Sequence, residues 1–330
     1  MKLYGCGFIT RTAATSTETS TETSNAATVG EGVANNNALK LVTDLESGYK
    51  VMTVWGGVYI RNKSGVTTFG YAISPRSTEV LTAGDNTVVY SDHTVSWDGS
   101  ATSHAALVRS ASCEERCVAA TCRRVVWGDS VGMVGEMEPY KQPVEYRLEY
   151  PLPLRVTALA LGAQFTLALG HCGIVWSWGI NNHGQLGQGH IETVKEPTPV
   201  DYLGGLQIRG IAAGYWHSLA VSEFDAVYAW GWNSKGQLGL PADKTMESEP
   251  VALFEEDTEI RKVSCGRSHS AFLDSGDKLY VCGFNKYGQC NPDSDSENLF
   301  LDNNLCHQAL LASGVSDVVC GPWSTFYVTE

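Results

Sequence analysis

The sequence predicts an all-β fold, a single β-propeller of six four-stranded blades, and two observations support this prediction. The first is a twelve-residue stretch that occurs three times in register, at residues 177–188 (SWGINNHGQLGQ), 229–240 (AWGWNSKGQLGL) and 281–292 (VCGFNKYGQCNP). The second is the sequence between these stretches, where short apolar runs alternate with turns rich in Gly. Copies of one stretch at a constant spacing along the chain predict a repeat architecture.

One repeat unit contains four such runs. In the second clear copy they are IRGIAAG, HSLAV, AVYAWG and, after the Asn-x-x-Gly-Gln loop, the proline-marked EPVAL. Runs of about five apolar and β-branched residues between Gly-rich turns are typical of strands. The glycines that end the third run, Gly179, Gly231 and Gly283, are 52 residues apart. Four strands in about 50 residues indicate one propeller blade.

The two ends of the chain carry complementary parts of a further unit. Residues 3–8 (LYGCGF) match the third run of the last full copy, residues 279–284 (LYVCGF). Residues 318–328 (VVCGPWSTFYV) supply only the first two runs. We therefore predict that the termini form one shared blade, which closes the ring and removes both open sheet edges.

The repeat is weaker in the N-terminal half. Gly7, Gly70 and Gly128 are predicted to end third strands, which brings the total to six and leaves a seventh, hidden blade open. Residues 103–108 (SHAALV) are similar to residues 268–273 (SHSAFL). We predict that residues 1–330 form one domain. A Thr/Ser-rich insertion at about residues 11–37 is predicted to be disordered, because such a composition cannot build a core.

Composition limits the classes of function. The net charge of −13 argues against direct nucleic-acid binding, which needs clustered Lys and Arg. Ten scattered cysteines indicate reduced thiols, and residues 1–10 lack the apolar region of a signal peptide. Residues 156–191 contain no Asp, Glu, Lys or Arg, yet equivalent positions in other copies are charged, so we predict strands here and no membrane span.

Few residues suggest chemistry. His217 and His269 recur in register, which favours a structural role over a catalytic or metal-binding one. The recurring amides are predicted to brace the loop after the third strand (Asn181, Asn233, Asn285) and to link blades (Gln185, Gln237, Gln289). Cys113, Cys117 and Cys122, near His93 and His104, fit no common zinc spacing. No phosphate-binding loop is present, so we predict no cofactor, no metal and no enzymatic activity.

The string aromatic-Gly-x-Asn-x-x-Gly-Gln-Leu-Gly, preceded by Gly-x-x-His, resembles the regulator of chromosome condensation repeat family over residues 156–328. Phe165 replaces the His in the first clear copy, and Cys290-Asn291 replaces Leu-Gly in the third. The short, single-propeller branch of the family is the most similar. This resemblance implies a monomeric adaptor on chromatin, in the nucleus with a cytoplasmic pool, whose partner is a Jumonji-type 2-oxoglutarate-dependent hydroxylase, histones or both.

The same resemblance implies an alternative, because the founding member is a guanine-nucleotide exchange factor for a small GTPase. Acidic residues 254–259 (FEEDTE) and 292–297 (PDSDSE) could serve such an activity, although acidic loops more often solvate a surface. A third hypothesis, an adaptor in ubiquitin ligation or membrane traffic, rests on larger chains that contain this propeller.

A partner-binding face is predicted from repeat positions that are free to vary. In an up-and-down blade the turn after the first strand and the loop after the third strand lie on the same face. The residues chosen on this basis are Tyr215, Trp216, Trp232, Lys235, Arg267, Tyr287 and Trp323; Asn182, His183 and Lys286 share these positions. Aromatic residues and Arg are enriched in binding hot spots. The alternative is that the rings fill gaps between blades.

Overall fold

The computed structural model describes residues 1–7, 13–14, 40–45, 50–54, 57–62, 65–70, 80–83, 86–91, 94–98, 109–112, 117–120, 125–128, 133–137, 144–147, 149–150, 152–153, 155–254, 258–293, 297–299 and 310–330. They form an all-β architecture of 31 strands with one short 3-10 helix, Asp201–Leu203. None of the helical segments in this part of the chain has the length and hydropathy of a membrane span.

The strands that come first along the chain are short, and their bounds are β1 (Lys2–Gly7), β2 (Ala13–Ala14), β3 (Lys40–Asp44), β4 (Lys50–Val54), β5 (Gly57–Asn62), β6 (Gly65–Gly70), β7 (Val80–Ala83), β8 (Asn86–Ser91), β9 (Thr94–Asp98), β10 (Arg109–Ser112), β11 (Cys117–Ala120), β12 (Val125–Gly128), β13 (Met133–Met137), β14 (Val144–Arg147), β15 (Glu149–Tyr150) and β16 (Leu152–Pro153).

The strands from β17 to β27 follow the 52-residue period. The bounds of the later strands are β17 (Val156–Leu161), β18 (Phe165–Gly170), β19 (Val175–Gly179), β20 (Val194–Pro199), β21 (Ile208–Ala213), β22 (His217–Ser222), β23 (Val227–Trp232), β24 (Met246–Leu253), β25 (Ile260–Cys265), β26 (His269–Asp274), β27 (Lys278–Phe284), β28 (Asn298–Leu299), β29 (Leu310–Ser313), β30 (Val315–Cys320) and β31 (Ser324–Thr329).

The described strands pair into seven antiparallel sheets of four or five strands, beside the two-stranded β15–β16. Each sheet is written from one edge to the other, and the sheets are numbered by the chain position of the strand written first. They are sheet 1 (β4-β5-β6-β2), sheet 2 (β7-β8-β9-β10), sheet 3 (β11-β12-β13-β14), sheet 4 (β17-β18-β19-β20), sheet 5 (β21-β22-β23-β24), sheet 6 (β25-β26-β27-β28, with β29 also on β27) and sheet 7 (β30-β31-β1-β3). The run 156–191, free of charged side chains, forms strands β17, β18 and β19, as its repeat pattern predicts.

Sheet 7 joins the two ends of the chain. β1 runs antiparallel to β31, with Lys2 opposite Thr329 and Gly7 opposite Ser324. The C-terminal segment supplies the first two strands of this sheet and the N-terminal segment supplies the third and fourth. The predicted pairing of the terminal strands is therefore confirmed.

One prediction for the N-terminal half is wrong. Gly70 ends the third strand of sheet 1, as expected, but Gly128 ends β12, the second strand of sheet 3. Gly70 and Gly128 are separated by about the length of one repeat. This interval nevertheless contains the described strands of sheet 2 and the first two strands of sheet 3, so the spacing led to the wrong strand. Ala13 and Ala14, inside the predicted insertion, pair with β6, whereas the remainder of residues 11–37 and residues 103–108 lie outside the described part.

The core lies between neighbouring sheets. Phe272 and Tyr280 of sheet 6 pack against Leu219 and Val221 of sheet 5, all fully or almost fully buried. Similar clusters join sheets 3 and 4, sheets 4 and 5, and sheets 6 and 7. Face-to-face packing of this kind positions the turns of successive sheets side by side.

The invariant register of the third strand depends on glycine. Gly231 has φ +102°, and a Cβ atom there would lie 2.6 Å from the Trp216 carbonyl oxygen and 2.8 Å from the Cα of His217. L-residues with a side chain rarely adopt this φ. Gly179 and Gly283 have the same left-handed conformation, so sheets 4, 5 and 6 bring the third strand against the turn after the first strand in the same way.

Candidate functional site

The two sets of loops chosen from the sequence lie together. The Trp232 amide donates to the Trp216 carbonyl oxygen (2.8 Å), and the Phe284 amide donates to the Ser268 carbonyl oxygen (2.8 Å). Each bond joins the loop after a third strand to the turn after the first strand of the same sheet. The two loop types therefore lie on the same face in sheets 5 and 6.

Backbone hydrogen bonds also connect these turns from sheet to sheet. The Ala163 amide donates to the Tyr215 carbonyl oxygen, the Tyr215 amide to that of Arg267, and the Arg267 amide to that of Pro322, each at 3.1 Å. The four residues occupy the same repeat position in sheets 4, 5, 6 and 7. The variable side chains that follow are thus presented from a continuous, hydrogen-bonded rim.

Side chains along this rim form an unbroken line of ring contacts, which we call the aromatic belt and define as Trp232, His183, Trp216, Tyr215, Arg267, Trp323, Tyr287 and Phe284. His183 stacks on Trp232 with centroids 4.8 Å apart and meets Trp216 edge-on at 5.4 Å. Trp216 meets Tyr215 edge-on at 5.2 Å. Such offset and T-shaped pairs are the arrangements that aromatic quadrupoles favour.

Arg267 joins the two halves of the belt. Its guanidinium carbon lies over the Tyr215 ring, 4.1 Å from the centroid, and over the Trp323 ring, 4.9 Å from the centroid. Trp323 in turn contacts Tyr287 at 5.9 Å and Phe284 at 5.8 Å. A cation over an aromatic face is attracted by the ring quadrupole, so the guanidinium is held in place.

The belt is partly open to solvent. Tyr215 is 37% exposed, and the other predicted residues of the face are half-buried. Burial lowers the pKa of His183, so its ring is neutral at physiological pH and stacks without a desolvated charge. The belt is therefore an apolar strip with a single fixed cation at its middle.

The structure brings together six of the seven residues predicted for the face. The seventh, Lys235, lies in the loop of sheet 5, and the described ring contacts do not include it. Phe284 was not predicted, although it occupies the repeat position of Trp232, 52 residues further on. The same periodic comparison that selected Trp232 would have selected it.

The recurring Asn residues brace the loops beneath the belt. Asn233 Oδ1 accepts from the Leu238 amide (2.9 Å), and its Nδ2 donates to the Lys244 carbonyl oxygen (2.6 Å). Asn181 and Asn285 make the equivalent bonds in their own loops. One side chain thus satisfies a donor and an acceptor of a buried loop backbone.

The Gln residues act differently from the prediction that their side chains link blades. Gln237 Oε1 accepts from the Lys235 amide within its own loop (2.9 Å). The backbone carbonyl oxygen of Gln237 makes the link to the next sheet, by accepting from Ser270 Oγ (2.6 Å). The same pattern holds for Gln185 and Gln289. The side chain therefore caps its own loop, and the backbone carbonyl oxygen links the loop to the next sheet.

The two histidines lie in these links. His217 Nε2 is 2.9 Å from Ser270 Oγ of the next sheet, and His269 Nε2 is 3.1 Å from Thr325 Oγ1. Because each hydroxyl donates to a Gln carbonyl oxygen, the histidine Nε2–H donates to the hydroxyl. Burial lowers the pKa of His217 to about 3 and that of His269 to about 4, so both rings stay neutral.

The described residues contain no group of three metal-ligating side chains. Burial raises the pKa of Cys6 and of Cys320 to about 12, which keeps these thiols protonated. Cys113 and Cys122, with His93 and His104, lie outside the described part, and Cys117 is described only as part of β11. Residues 255–257 and 294–296, which belong to the two acidic stretches, also lie outside it.

Comparison with known proteins identifies the repeats. The family model described as "Regulator of chromosome condensation (RCC1) repeat" matches residues 173–221 and 225–273, and a second model of the same description matches residues 208–237 and 260–289. The chain carries RCC1 repeats. Together these matches cover residues 173–289, which include the belt residues His183, Tyr215, Trp216, Trp232, Arg267, Phe284 and Tyr287, whereas Trp323 lies outside them.

Relatives and solved structures agree with these repeats. RCC1 domain-containing protein 1 of Homo sapiens is 33% identical over 216 residues, which cover 54% of this chain and 57% of the human protein. The RCC1-repeat chain thus spans little more than half the length of that relative. The crystal structure of human WBSCR16 superposes with a TM-score of 0.71 at 16% identity, over 100% of this chain and 98% of that one. Prp20p of Saccharomyces cerevisiae gives 0.61 at 17% identity, over 82% and 77%. Both likenesses show the fold.

Proposed function

We propose that this RCC1-repeat protein is a non-enzymatic interaction scaffold that binds a protein partner through the aromatic belt. The observation that carries the proposal is the belt itself. Aromatic side chains and one Arg, at repeat positions that the scaffold does not dictate, form one contiguous and partly exposed strip. Aromatic residues and Arg dominate the binding energy of protein interfaces.

The proposal includes a closed ring of seven blades. Contacts between first strands support it, because β4, β7, β11, β17, β21 and β25 each contact the next one in this order, β25 contacts β30, and β30 contacts β4. The shared sheet 7 removes the open edges that the two terminal segments would otherwise leave. A ring of this kind fixes the distances between turns, so the belt is a rigid surface.

Rigidity favours a binding role for the belt. The loops beneath it are fixed by the Asn and Gln side chains and by bonds between sheets. A partner therefore does not have to order the surface on binding, and the conformational cost of association is small. Surface rings held in this way supply contact area at low entropic cost.

The partner proposed is a Jumonji-type hydroxylase, histones or both, on chromatin in the nucleus. The 33% identity to RCC1 domain-containing protein 1 supports a protein built on the same repeats, and the partner class is the one that the resemblance of the repeat sequence implies. The fold neighbour Prp20p was studied for its binding to Gsp1p and histones, which makes chromatin proteins reasonable candidates. The net charge of −13 favours a protein partner over bare nucleic acid.

Guanine-nucleotide exchange on a small GTPase is the second candidate. The observation that favours it is the shared fold with Prp20p, a protein studied with Gsp1p. An exchange factor would require the belt or an acidic loop to displace nucleotide. The two candidates differ in the effect of GTP on the complex.

The test is affinity capture of the tagged protein from cells that express it, beside a Trp216→Ala/Trp323→Ala variant with a native circular dichroism spectrum. We expect a Jumonji-type hydroxylase or histones with the wild-type protein and not with the variant. Recovery of a small GTPase that GTP releases would favour the exchange factor instead. Equal recovery of the partner by both proteins would contradict the assignment of the belt as the binding surface.

A further inference from the structure

We propose that Arg267 is the specificity anchor of the aromatic belt and binds the carboxylate of an Asp or Glu side chain in an extended peptide segment of the partner. The inference rests on the proposed function, since it names the chemistry that the belt recognises. It is carried by three features of Arg267: its ring contacts, its lack of an anionic partner and its surroundings.

Two other arginines, at the junctions between sheets, have their guanidinium groups bound by carbonyl oxygens and a carboxylate. Arg209 donates to the carbonyl oxygens of Ser222, Ile260 and Arg261 at 2.8–3.0 Å and pairs with Asp225. Arg261, one repeat later, donates to two carbonyl oxygens and pairs with Asp277 at 2.7 Å. These side chains link sheet to sheet, and their guanidinium groups have structural partners.

Arg267 differs from both. Its side chain contacts the rings of Tyr215 and Trp323, and among the described residues it makes neither a hydrogen bond nor an ion pair. A guanidinium carries five N–H donors in a fixed plane that matches a carboxylate with two parallel bonds. Half-buried and held by two rings, it is already oriented for such a pair.

The surroundings of Arg267 favour a single anionic group. Residues 162–164, 214–216, 266–268 and 321–323, the four turns of the rim, contain no acidic residue, and Lys235 and Lys286 lie in the adjacent loops. The four turns thus carry one charge, that of Arg267, although the adjacent loops also contain Asp243, Asp293 and Glu297, in a chain whose net charge is −13. That net charge repels a polyanion at longer range, whereas one carboxylate between apolar residues fits both the cation and the rings.

The experiment is a selection of random twelve-residue peptides, displayed on phage, against the purified full chain. Peptides that also bind Trp216→Ala/Trp323→Ala protein are removed, which leaves ligands of the belt. We expect an Asp or Glu at a fixed position among apolar residues. Replacing that residue by Asn or Gln in a synthetic peptide should weaken binding, measured by fluorescence anisotropy, by about tenfold or more.

Protein variants complete a double-mutant cycle. Arg267→Gln should lose the same factor for the acidic peptide and bind the Asn or Gln peptide no worse than the wild type does. Arg267→Lys, which keeps the charge but lacks the planar fork, should fall between the two. Lys195→Gln, on the exposed edge of β20, removes the same charge away from the belt and should change affinity by less than about twofold.

Several results would overturn the inference, and they differ in what they mean for the proposed function. Belt-dependent peptides without an acidic residue, or acidic peptides that bind Arg267→Gln equally well, would remove the carboxylate anchor and leave the binding surface intact. A synthetic peptide with phosphoserine in place of that Asp or Glu, if it bound the wild-type protein much more tightly than the acidic peptide does, would also overturn it. No belt-dependent peptide at all would count against the proposed function, and the inference would fail with it.

Discussion

Packing around single residues explains why the repeat has Gly and His at fixed positions. Gly214 lies under the His217 ring, and any Cβ at this position would overlap the ring. Gly162 has the same relation to Phe165, which fills the space of the missing His in the first clear copy. The Gly-x-x-His pattern is therefore a packing motif. Sequence periodicity predicts that these positions are structural, but the hydroxyl partner of each His comes from another sheet and cannot be inferred from spacing.

The neutral histidines predict a pH-dependent stability. The pKa of His217 and of His269 is lowered by burial to about 3 and about 4, so between these values and about 6.5 the unfolded chain binds protons that the folded protein does not. The contribution of the two buried neutral rings to the free energy of unfolding is therefore fully present above about pH 6.5, and it is lost as the pH falls through this window.

The measurement is the free energy of unfolding in urea between pH 7.5 and pH 5. We expect it to decrease towards pH 5, and we expect the decrease to be shallower for His217→Gln, whose stability at pH 7.5 is lower. An identical pH slope for wild type and variant would contradict the burial of a neutral ring.

A glycine pair tests the left-handed backbone at the end of the third strand. Gly231→Ala should lower the free energy of unfolding by about 3 kcal/mol, because φ is +102° and the new Cβ would meet the Trp216 carbonyl oxygen at 2.6 Å. Gly210→Ala is the matched control, since no atom lies within 4 Å of its Cβ position, and it should change stability by less than about 0.5 kcal/mol. Equal losses for the two variants, measured by urea denaturation, would show that the strain argument is wrong.

At the level of elements, the strands can be predicted from the repeat where the connecting loops have the same length in each copy. The strands of sheets 4, 5 and 6 follow from apolar runs and glycines at a fixed spacing. In sheets 2 and 3 the strands are shorter and the connections no longer keep that spacing, so Gly128 was assigned to a third strand although it ends a second one. A period locates an element only while the connecting loops keep their length.

The Asn-braced loop gives the prediction at this scale. Asn233→Ala leaves the buried Leu238 amide and the Lys244 carbonyl oxygen without the partners that the side chain supplies, and it should cost about 2 kcal/mol of unfolding free energy. Asn182→Ala, at an exposed position of the equivalent loop in sheet 4, is the control and should be nearly neutral. The loop would not depend on its amide if the two variants had the same Tm.

For the whole molecule, the pairing of β1 with β31 makes the N-terminal strand part of the last sheet. Leu3 is completely buried in this sheet, and Cys6 of β1 donates to the Gln289 carbonyl oxygen of the preceding unit (3.4 Å). The matching fragments at the two ends of the sequence made this pairing predictable. The alignment of aromatic rings from four sheets was not predictable as a contact, because it depends on how neighbouring sheets are rotated.

Thiol labelling tests this closure. Leu3→Ala should destabilise β1 by about 3 kcal/mol and speed the alkylation of Cys6 and Cys320, whose buried thiols react only when the sheet opens. Cys172, which is partly exposed in sheet 4, should react at an unchanged rate. Mass spectrometry of each cysteine distinguishes the sites. Unchanged labelling of Cys6 in a variant with unchanged Tm would contradict a structural role for the terminal pairing.

The central claim is that the aromatic belt binds a partner and does not merely fill gaps between blades. The most direct measurement pairs the Tm of Trp216→Ala/Trp323→Ala with its affinity for the captured partner, beside Leu279→Ala, a core variant in sheet 6 away from the belt. We expect the double variant to lose at least about tenfold in affinity with a modest change in Tm, and Leu279→Ala to lower Tm and keep affinity. A large fall in Tm of the double variant with unchanged partner affinity would contradict the claim and assign the rings to packing.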